Sequence, residues 1–174
     1  MARIRKFVSY RRVERPYTRV SKFKAKSFIS TTPNPRVVMF DMGNLKKKFQ
    51  YSVRLNSKSK LQIRDNAFNS ARETANRLLE KNLGVAGFHI KVNVYPFHVL
   101  RENPIAAGAG ADRFSTGMQK SFGKPIGQAA RIRKGQTLFT VSVDKANLEI
   151  AKKAMQRAAS KIPCSCIIES EENK

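Results

Sequence analysis

The sequence predicts an α+β fold in which two helices form a sandwich with a mixed or antiparallel sheet. Two patterns and one ordering carry that reading. Phe49, Tyr51, Val53 and Leu55 alternate with Gln50, Ser52, Arg54 and Asn56, and Phe88, Ile90, Val92 and Val94 alternate with His89, Lys91, Asn93 and Tyr95. A period of two is that of a strand with one buried face. Phe68, Ala71, Ala75, Leu78 and Leu79, and again Leu148, Ala151, Met155, Ala158 and Ala159, share one face at the helical period. The elements run strand, strand, strand, helix, strand, long loop, strand, strand, helix, strand, an order that suits an α+β sandwich.

Each element has its own signal. Residues 1–26 carry ten Lys and Arg against Glu14 alone and are expected to form a basic N-terminal arm or surface strip. Among its charges stand Phe7, Tyr10, Tyr17 and Phe23, with Phe28 just beyond. Such rings can stack on bases, but burial against the protein is the reading favoured for most of them. Val37–Phe40 is a short β-branched and aromatic run ending in the turn signal Asp41-Met42-Gly43. Leu61 and Ile63 continue a third strand, Asp65 offers an N-cap for a helix over 66–82, and Gly84 stops it. Pro96 interrupts the strand that begins at Phe88. Ala130–Arg133 and Leu138–Val143 flank Lys134-Gly135-Gln136, a hairpin signal. Asp144 is expected to cap the second helix, and Ile162–Ile168 to close the fold as a strand in which Pro163 suits only the start or an edge. The expected organisation is therefore an arm over 1–26, a single α+β domain over 27–170, and a short acidic tail over 171–174.

Between Arg101 and Gly127 neither periodicity holds. Five of the nine glycines fall there, with Pro104 and Pro125, and with Arg101, Arg113, Lys120 and Lys124 against Glu102 and Asp112. A loop of this length inside a compact domain is commonly functional. A mobile cationic loop is the expectation.

The whole chain is cationic: 35 Lys and Arg against 12 Asp and Glu in 174 residues, a net charge of +23. Solubility alone needs only about 2–8 charges on a small domain, so the excess implies a polyanionic partner. No apolar run approaches the ~18 residues that span a membrane, and the N-terminus lacks the apolar stretch of a secretory signal. Neither helix reads as a recognition helix for the DNA major groove, because both carry core-facing stripes. An arm and a basic loop on an α+β body suit irregular RNA better. A nonspecific DNA-binding or chromatin-type basic protein is the alternative, and an RNA-modifying enzyme a third.

Catalytic motifs are thin. Gly117-Met-Gln-Lys-Ser-Phe-Gly123-Lys124-Pro125 has one residue too many for a phosphate loop, with proline where a metal-binding hydroxyl is needed. Gly108-Ala-Gly110 lacks the third glycine of a dinucleotide fingerprint. His89 and His98 have no carboxylate at a spacing that would orient them, and His89 is expected to bond to backbone or RNA. Cys164 and Cys166 supply at most two metal ligands and read as small core residues. Asp112 beside Arg113 reads as a loop-stabilising ion pair. No enzyme, metal or cofactor is expected.

The strings AGADRFSTGMQKSFGKP (Ala109–Pro125), RVVMFDMG (Arg36–Gly43) and PYTR (Pro16–Arg19) resemble the universal large-subunit ribosomal protein family sixteen, whose archaeal branch is called L-ten-e. The resemblance runs from Arg15 to about Ile168. It implies an α/β-hammerhead-like body and a structural protein of the cytoplasmic ribosome. That protein would bind large-subunit rRNA near the aminoacyl-tRNA site and the peptidyl-transferase centre. It further implies a loop reaching toward transiently bound tRNA, neighbouring ribosomal proteins as partners, no membrane partner and no homo-oligomer. The loop residues carried over are Gly110, Asp112, Arg113, Thr116, Gly117, Met118, Lys120, Phe122, Gly123, Lys124 and Pro125, with catalysis left to RNA.

The candidate RNA-binding cations fall into three groups. The arm offers Arg3, Arg5, Lys6, Arg11, Arg12, Arg15, Arg19, Lys22, Lys24 and Lys26. A second group is Lys46, Lys47 and Lys48, and Lys58 with Lys60 form a smaller basic pair nearby. The third is the loop and its exit: Arg101, Arg113, Lys120, Lys124, Arg131 and Arg133. In strand geometry Arg131 and Arg133 project to one face, where two guanidiniums can fork onto adjacent phosphates.

Overall fold

The structure, a computed structural model, describes residues 5–14 and 17–173. Eight strands are found among them: β1 (Asp41–Gly43), β2 (Tyr51–Ser57), β3 (Leu61–Arg64), β4 (Phe88–Val92), β5 (His98–Glu102), β6 (Lys124–Ile132), β7 (Thr137–Val143) and β8 (Cys166–Glu172). The helices are α1 (Asp65–Leu83), the short α2 (Ala111–Phe114) and α3 (Leu148–Ala159). The class is α+β, with every strand pair antiparallel.

The strands form two sheets. The larger has the order β1-β4-β7-β2-β8 and the smaller β3-β6-β5. Alternation sorts the faces of the larger sheet. Val53, Leu55, Phe88, Ile90, Phe139, Val141 and Val143 are buried against the helices, while Arg54, His89, Lys91, Thr140 and Ser142 take the other face. Phe68 of α1 meets Phe139 of β7 with ring centroids 6.1 Å apart, and both are fully buried. Ala71, Ala75, Ala151, Ala154 and Ala158 bury small side chains in the same cluster, which lets α1 and α3 pack closely on each other. Burying one large apolar side chain is worth roughly 1.5–3 kcal/mol, so this layer is the main source of stability.

Several elements differ from their sequence signals. Val37–Phe40 is not the first strand, which is Asp41–Gly43. Val37 is buried while Val38 and Met39 are exposed, and the run leads into the sheet through the Val92 N–H to Phe40 carbonyl bond of 2.7 Å. Gly43 explains the turn that follows: it sits at φ +91°, and a Cβ there would run into the Phe88 carbonyl. Asp65 does not cap α1 from outside. It is the first helical residue, and its Oδ1 accepts the Asn66 N–H at 2.8 Å.

Lys134-Gly135-Gln136 is a turn but not a hairpin. β6 pairs with β3 and β5, and β7 with β2 and β4, so both strands have their edges filled by others. The turn instead bonds to the end of β2, with Gly135 N–H to Ser57 O at 2.8 Å and Ser57 N–H to Gln136 O at 3.0 Å. It is the corner at which the chain changes sheets. Asp144 also plays another part. It makes no side-chain cap to the short 3-10 turn before α3; its Oδ2 accepts from Lys47 Nζ at 2.6 Å. The last strand begins at Cys166 and takes in Glu171 and Glu172, which pair with Ser52 and Tyr51.

One strand, β5, carries no sequence signal of its own, because all of His98, Val99 and Leu100 are buried and alternation is lost. Its pairing with β6 shortens the long loop at both ends, since Arg101 and Glu102 face Pro125 and Lys124. Pro125 is tolerated because β3 reaches only Ala129–Ile132 of β6, so no ladder donor is needed from it on that side.

Candidate nucleic-acid interface

The smaller sheet is the scaffold on which cations gather. The N-terminal segment touches all three of its strands. Gln62 of β3 donates from its backbone N–H to Arg11 O at 2.9 Å and from Nε2 to Tyr10 O at 2.8 Å. Val99 of β5 donates to Thr18 O at 2.8 Å, and the Thr18 hydroxyl returns a bond to Val99 O at 2.8 Å. Gln128 of β6 reaches Pro33 O at 3.2 Å. Phe7 packs on the core. Tyr17 stacks on His98 with centroids 5.6 Å apart, and Arg64 lies over the Tyr10 ring. Phe23 and Phe28 are different: they are 57% and 62% exposed, with Lys22 and Lys26 over the Phe23 ring.

His98 is the buried polar centre of this docking. Its Nδ1 accepts the Thr18 N–H at 3.1 Å. Burial, with Arg131 and Arg101 nearby, pushes its imidazole down to about 4, so the ring is neutral at pH 7.

The candidate cations divide by what already holds them. Arg5 is paired with Glu102, Arg12 lies 3.9 Å from Glu14, and Lys47 is paired with Asp144. Arg19 and Arg131 lie over the Tyr17 ring, and Arg101 lies 4.0 Å from the centre of the Phe122 ring. Lys6, Arg11, Lys24, Lys46, Lys48, Arg113, Lys120, Lys124 and Arg133 are exposed and form no ion pair among the described residues. Arg3 and Arg15, with Pro16 of the PYTR string, lie outside the described residues.

The groups are not all brought together. Arg5 and Arg101 line one cleft beside Met118 and Gly123. Arg131 and Arg133 line a second with Lys60, Tyr95 and Phe97. Lys46–Lys48 sit apart, by the end of β7 where Asp144 binds Lys47. The other face of the larger sheet is polar and partly acidic, with Arg54 bonded to Glu171, Asn56 to Glu169 and His89 to Asp41. His89 therefore does have a carboxylate partner, 3.0 Å away. It comes from β1, a strand 48 residues away in the chain, which spacing within one strand could not reveal.

Residues 103–123 form the loop proper. Gly123 closes it: a Cβ there would lie 2.5 Å from the Glu102 carbonyl carbon and 2.8 Å from Asn103 N. Asn103 Nδ2 donates to Gly117 O at 3.2 Å across the base. Phe114, Met118 and Phe122 are 84%, 68% and 59% exposed. Asp112 and Arg113 are both exposed and, among the described residues, form no ion pair with each other.

No group of three or more His, Cys, Asp or Glu able to hold a metal occurs among the described residues. Cys164 and Cys166 are half-buried with Sγ atoms 3.7 Å apart, and Cys164 also meets the Ser57 hydroxyl at 3.6 Å. No helix is long and apolar enough to cross a membrane among the described residues.

The family model described as ribosomal protein L16p/L10e matches residues 13–169. The chain belongs to that family of ribosomal proteins. It is 44% identical over 154 residues to the large ribosomal subunit protein uL16 of Archaeoglobus fulgidus, covering 88% of this chain and 85% of the relative. It is 42% identical over 160 residues to the uL16 protein of Methanococcus maripaludis, covering 91% and 89%. The L16p/L10e match takes in both sheets up to the first half of β8, both long helices, the 103–123 loop and the second half of the basic strip. Tyr95, which the sequence marks only as a polar-face strand residue, and Phe97 lie at the second cleft inside this span. Their signal was two aromatic residues either side of Pro96.

Proposed function

We propose that this protein is a structural constituent of the large ribosomal subunit in the cytoplasm. It binds large-subunit rRNA through the smaller sheet and its docked N-terminal strip, beside neighbouring ribosomal proteins, and does no catalysis of its own. One observation carries the reading: a net charge of +23 meets a surface where twelve of the candidate cations are exposed and unpaired by any described carboxylate. Cations with no carboxylate partner among the described residues are then available to phosphate, and neutralising RNA offsets the self-repulsion. The finer assignments are an α/β-hammerhead-like body, a single domain over 27–170 with the basic arm before it, and a loop that is mobile until tRNA is near. Exposed Phe114, Met118 and Phe122 beside Arg113, Lys120 and Lys124 suit a contact to tRNA at the aminoacyl site.

The test is cosedimentation with large subunits after a high-salt wash, together with the salt dependence of RNA affinity. Each phosphate contact adds roughly 0.7–0.9 to the log–log slope. Truncation of residues 1–26 is expected to flatten the slope by several such steps. Purification away from ribosomes, or an equal affinity for duplex DNA, would favour the nonspecific DNA-binding alternative.

A further inference from the structure

We propose that the cleft between the exit of β6 and the β4–β5 connection receives a single unstacked RNA nucleotide, its base on Phe97 and its phosphates on Lys60 and Arg133. The inference rests on the RNA-binding reading and adds to it the form of RNA and the residues that take it. Three observations converge here.

The first is a column of rings with an open end. Phe40 stacks on Tyr95 with centroids 5.1 Å apart and 26° between planes, and Tyr95 meets Phe97 at 4.3 Å. Phe40 is anchored against the core, whereas Tyr95 is 38% and Phe97 60% exposed. The column thus leads from the protein interior to the mostly exposed Phe97 ring, which is tilted 42° from Tyr95. A nucleobase is a flat apolar surface of the kind that continues such a stack.

The second is rigidity. Phe97 N–H donates to Tyr95 O at 3.0 Å, closing a tight turn about buried Pro96, and His98 begins β5 immediately after. The platform is held on both sides by strands, so stacking on it costs little conformational entropy.

The third is charge. The cleft is about 570 Å³, within the roughly 300–1,000 Å³ of small-ligand sites, and none of its described lining residues is acidic. Lys60 and Arg133 stand exposed at its rim, and the Arg133 backbone N–H is fixed by Gln136 Oε1 at 2.9 Å. A protein side chain could fill an aromatic cleft, but two cations with no facing acid favour a nucleotide over an apolar peptide.

The experiment uses the full chain with a short oligoadenylate carrying one 2-aminopurine, and a blunt RNA duplex as comparison. Wild type is expected to bind the single strand and quench the 2-aminopurine. Phe97→Leu should weaken that binding about tenfold and abolish quenching, with the salt slope and duplex affinity unchanged. Phe97→Tyr, which keeps the ring, should behave as wild type. Lys60→Ala with Arg133→Ala should lower the slope by about 1.4, two contacts at roughly 0.7 each. If Phe97→Leu quenches and binds as wild type while both RNAs still bind, the cleft is not a base site and the RNA-binding reading stands. Full activity of Phe97→Leu on RNA with loss of a ribosomal-protein contact would assign the cleft to a protein partner instead. If wild type binds neither RNA, both readings fall.

Discussion

The backbone N–H of Thr18 donates to Nδ1 of His98 at 3.1 Å, and the Thr18 hydroxyl and carbonyl bond to the next residue, Val99. Three bonds at one threonine lock the basic strip onto β5. The arrangement needs a bare Nδ1 lone pair, so the imidazole must be neutral and carry its one proton on Nε2.

That requirement makes strip docking sensitive to acid. The folded imidazole titrates at about 4 because of burial and the nearby Arg131 and Arg101, against an ordinary value of roughly 6.5 when unfolded. Between those values the unfolded chain binds the extra proton, so stability is complete above about pH 6.5 and falls as the pH drops toward 4. The expected loss is on the order of 1–3 kcal/mol. His98→Asn keeps an acceptor but does not titrate. Chemical denaturation of both proteins across this range should show the mutant with the flatter profile; parallel profiles would remove His98 from the account.

Gly123 holds the base of the loop through lack of a side chain. A Cβ would lie 2.5 Å from the Glu102 carbonyl carbon and 2.7 Å from its oxygen, which is backbone and cannot rotate away. Gly123→Ala is therefore expected to force β5 and β6 apart at Glu102 and Lys124, at a cost of about 1–3 kcal/mol. Hydrogen exchange should accelerate at that end of the ladder and leave the β3–β6 pairing protected. Unchanged exchange at Glu102 and Lys124 would show that the strand end yields without cost.

Local periodicity made β2, β3, β4, β7 and the two long helices legible in the sequence, because each buries one face against a single layer. The features it missed depend on distant partners. β5 buries consecutive residues and so has no alternation. The turn at Gly135 carries a hairpin signature, yet its flanking strands enter different sheets because both were already paired. Asp144 and His89 were misread for the same reason, each being held by a residue far away in sequence, Lys47 and Asp41. At the interface the cations were legible as a set. What a sequence does not show is which of them are occupied: Arg5, Arg12 and Lys47 pair with Glu102, Glu14 and Asp144, and Arg19, Arg101 and Arg131 lie on rings.

The cysteine pair is expected to be reactive at one sulfur. Hydrogen bonds from the Cys166 thiol and the Ser57 hydroxyl hold Cys164 below the usual thiol range, and the same coupling pushes Cys166 up. Cys164 should thus be alkylated first near neutral pH, and Cys166→Ala should slow that alkylation by removing the larger of the two bonds. Replacing both cysteines by alanine should leave metal content and RNA affinity unchanged. Zinc in stoichiometric amount in wild type, lost in the double variant, would overturn this.

The charges of the loop are expected to act on a partner and not on the fold. Arg113 and Lys124 are exposed and form no ion pair among the described residues, and surface substitutions of that kind change stability by no more than about 0.5 kcal/mol. Arg113→Ala with Lys124→Ala should therefore melt within experimental error of wild type, as Lys124 contributes to β6 only through its backbone. If the loop reaches tRNA, ribosomes carrying the double variant should accommodate aminoacyl-tRNA less well, with a weaker salt dependence because two phosphate contacts are gone. Hydrogen exchange supplies an independent check. The amides of 108–123 should exchange quickly in the free protein and slowly on the ribosome, since α2 is a single turn and Phe114, Met118 and Phe122 have no apolar partner layer to bury them. A double variant that melts early yet binds tRNA normally would place Arg113 and Lys124 in the architecture of the protein and leave tRNA contact to other residues.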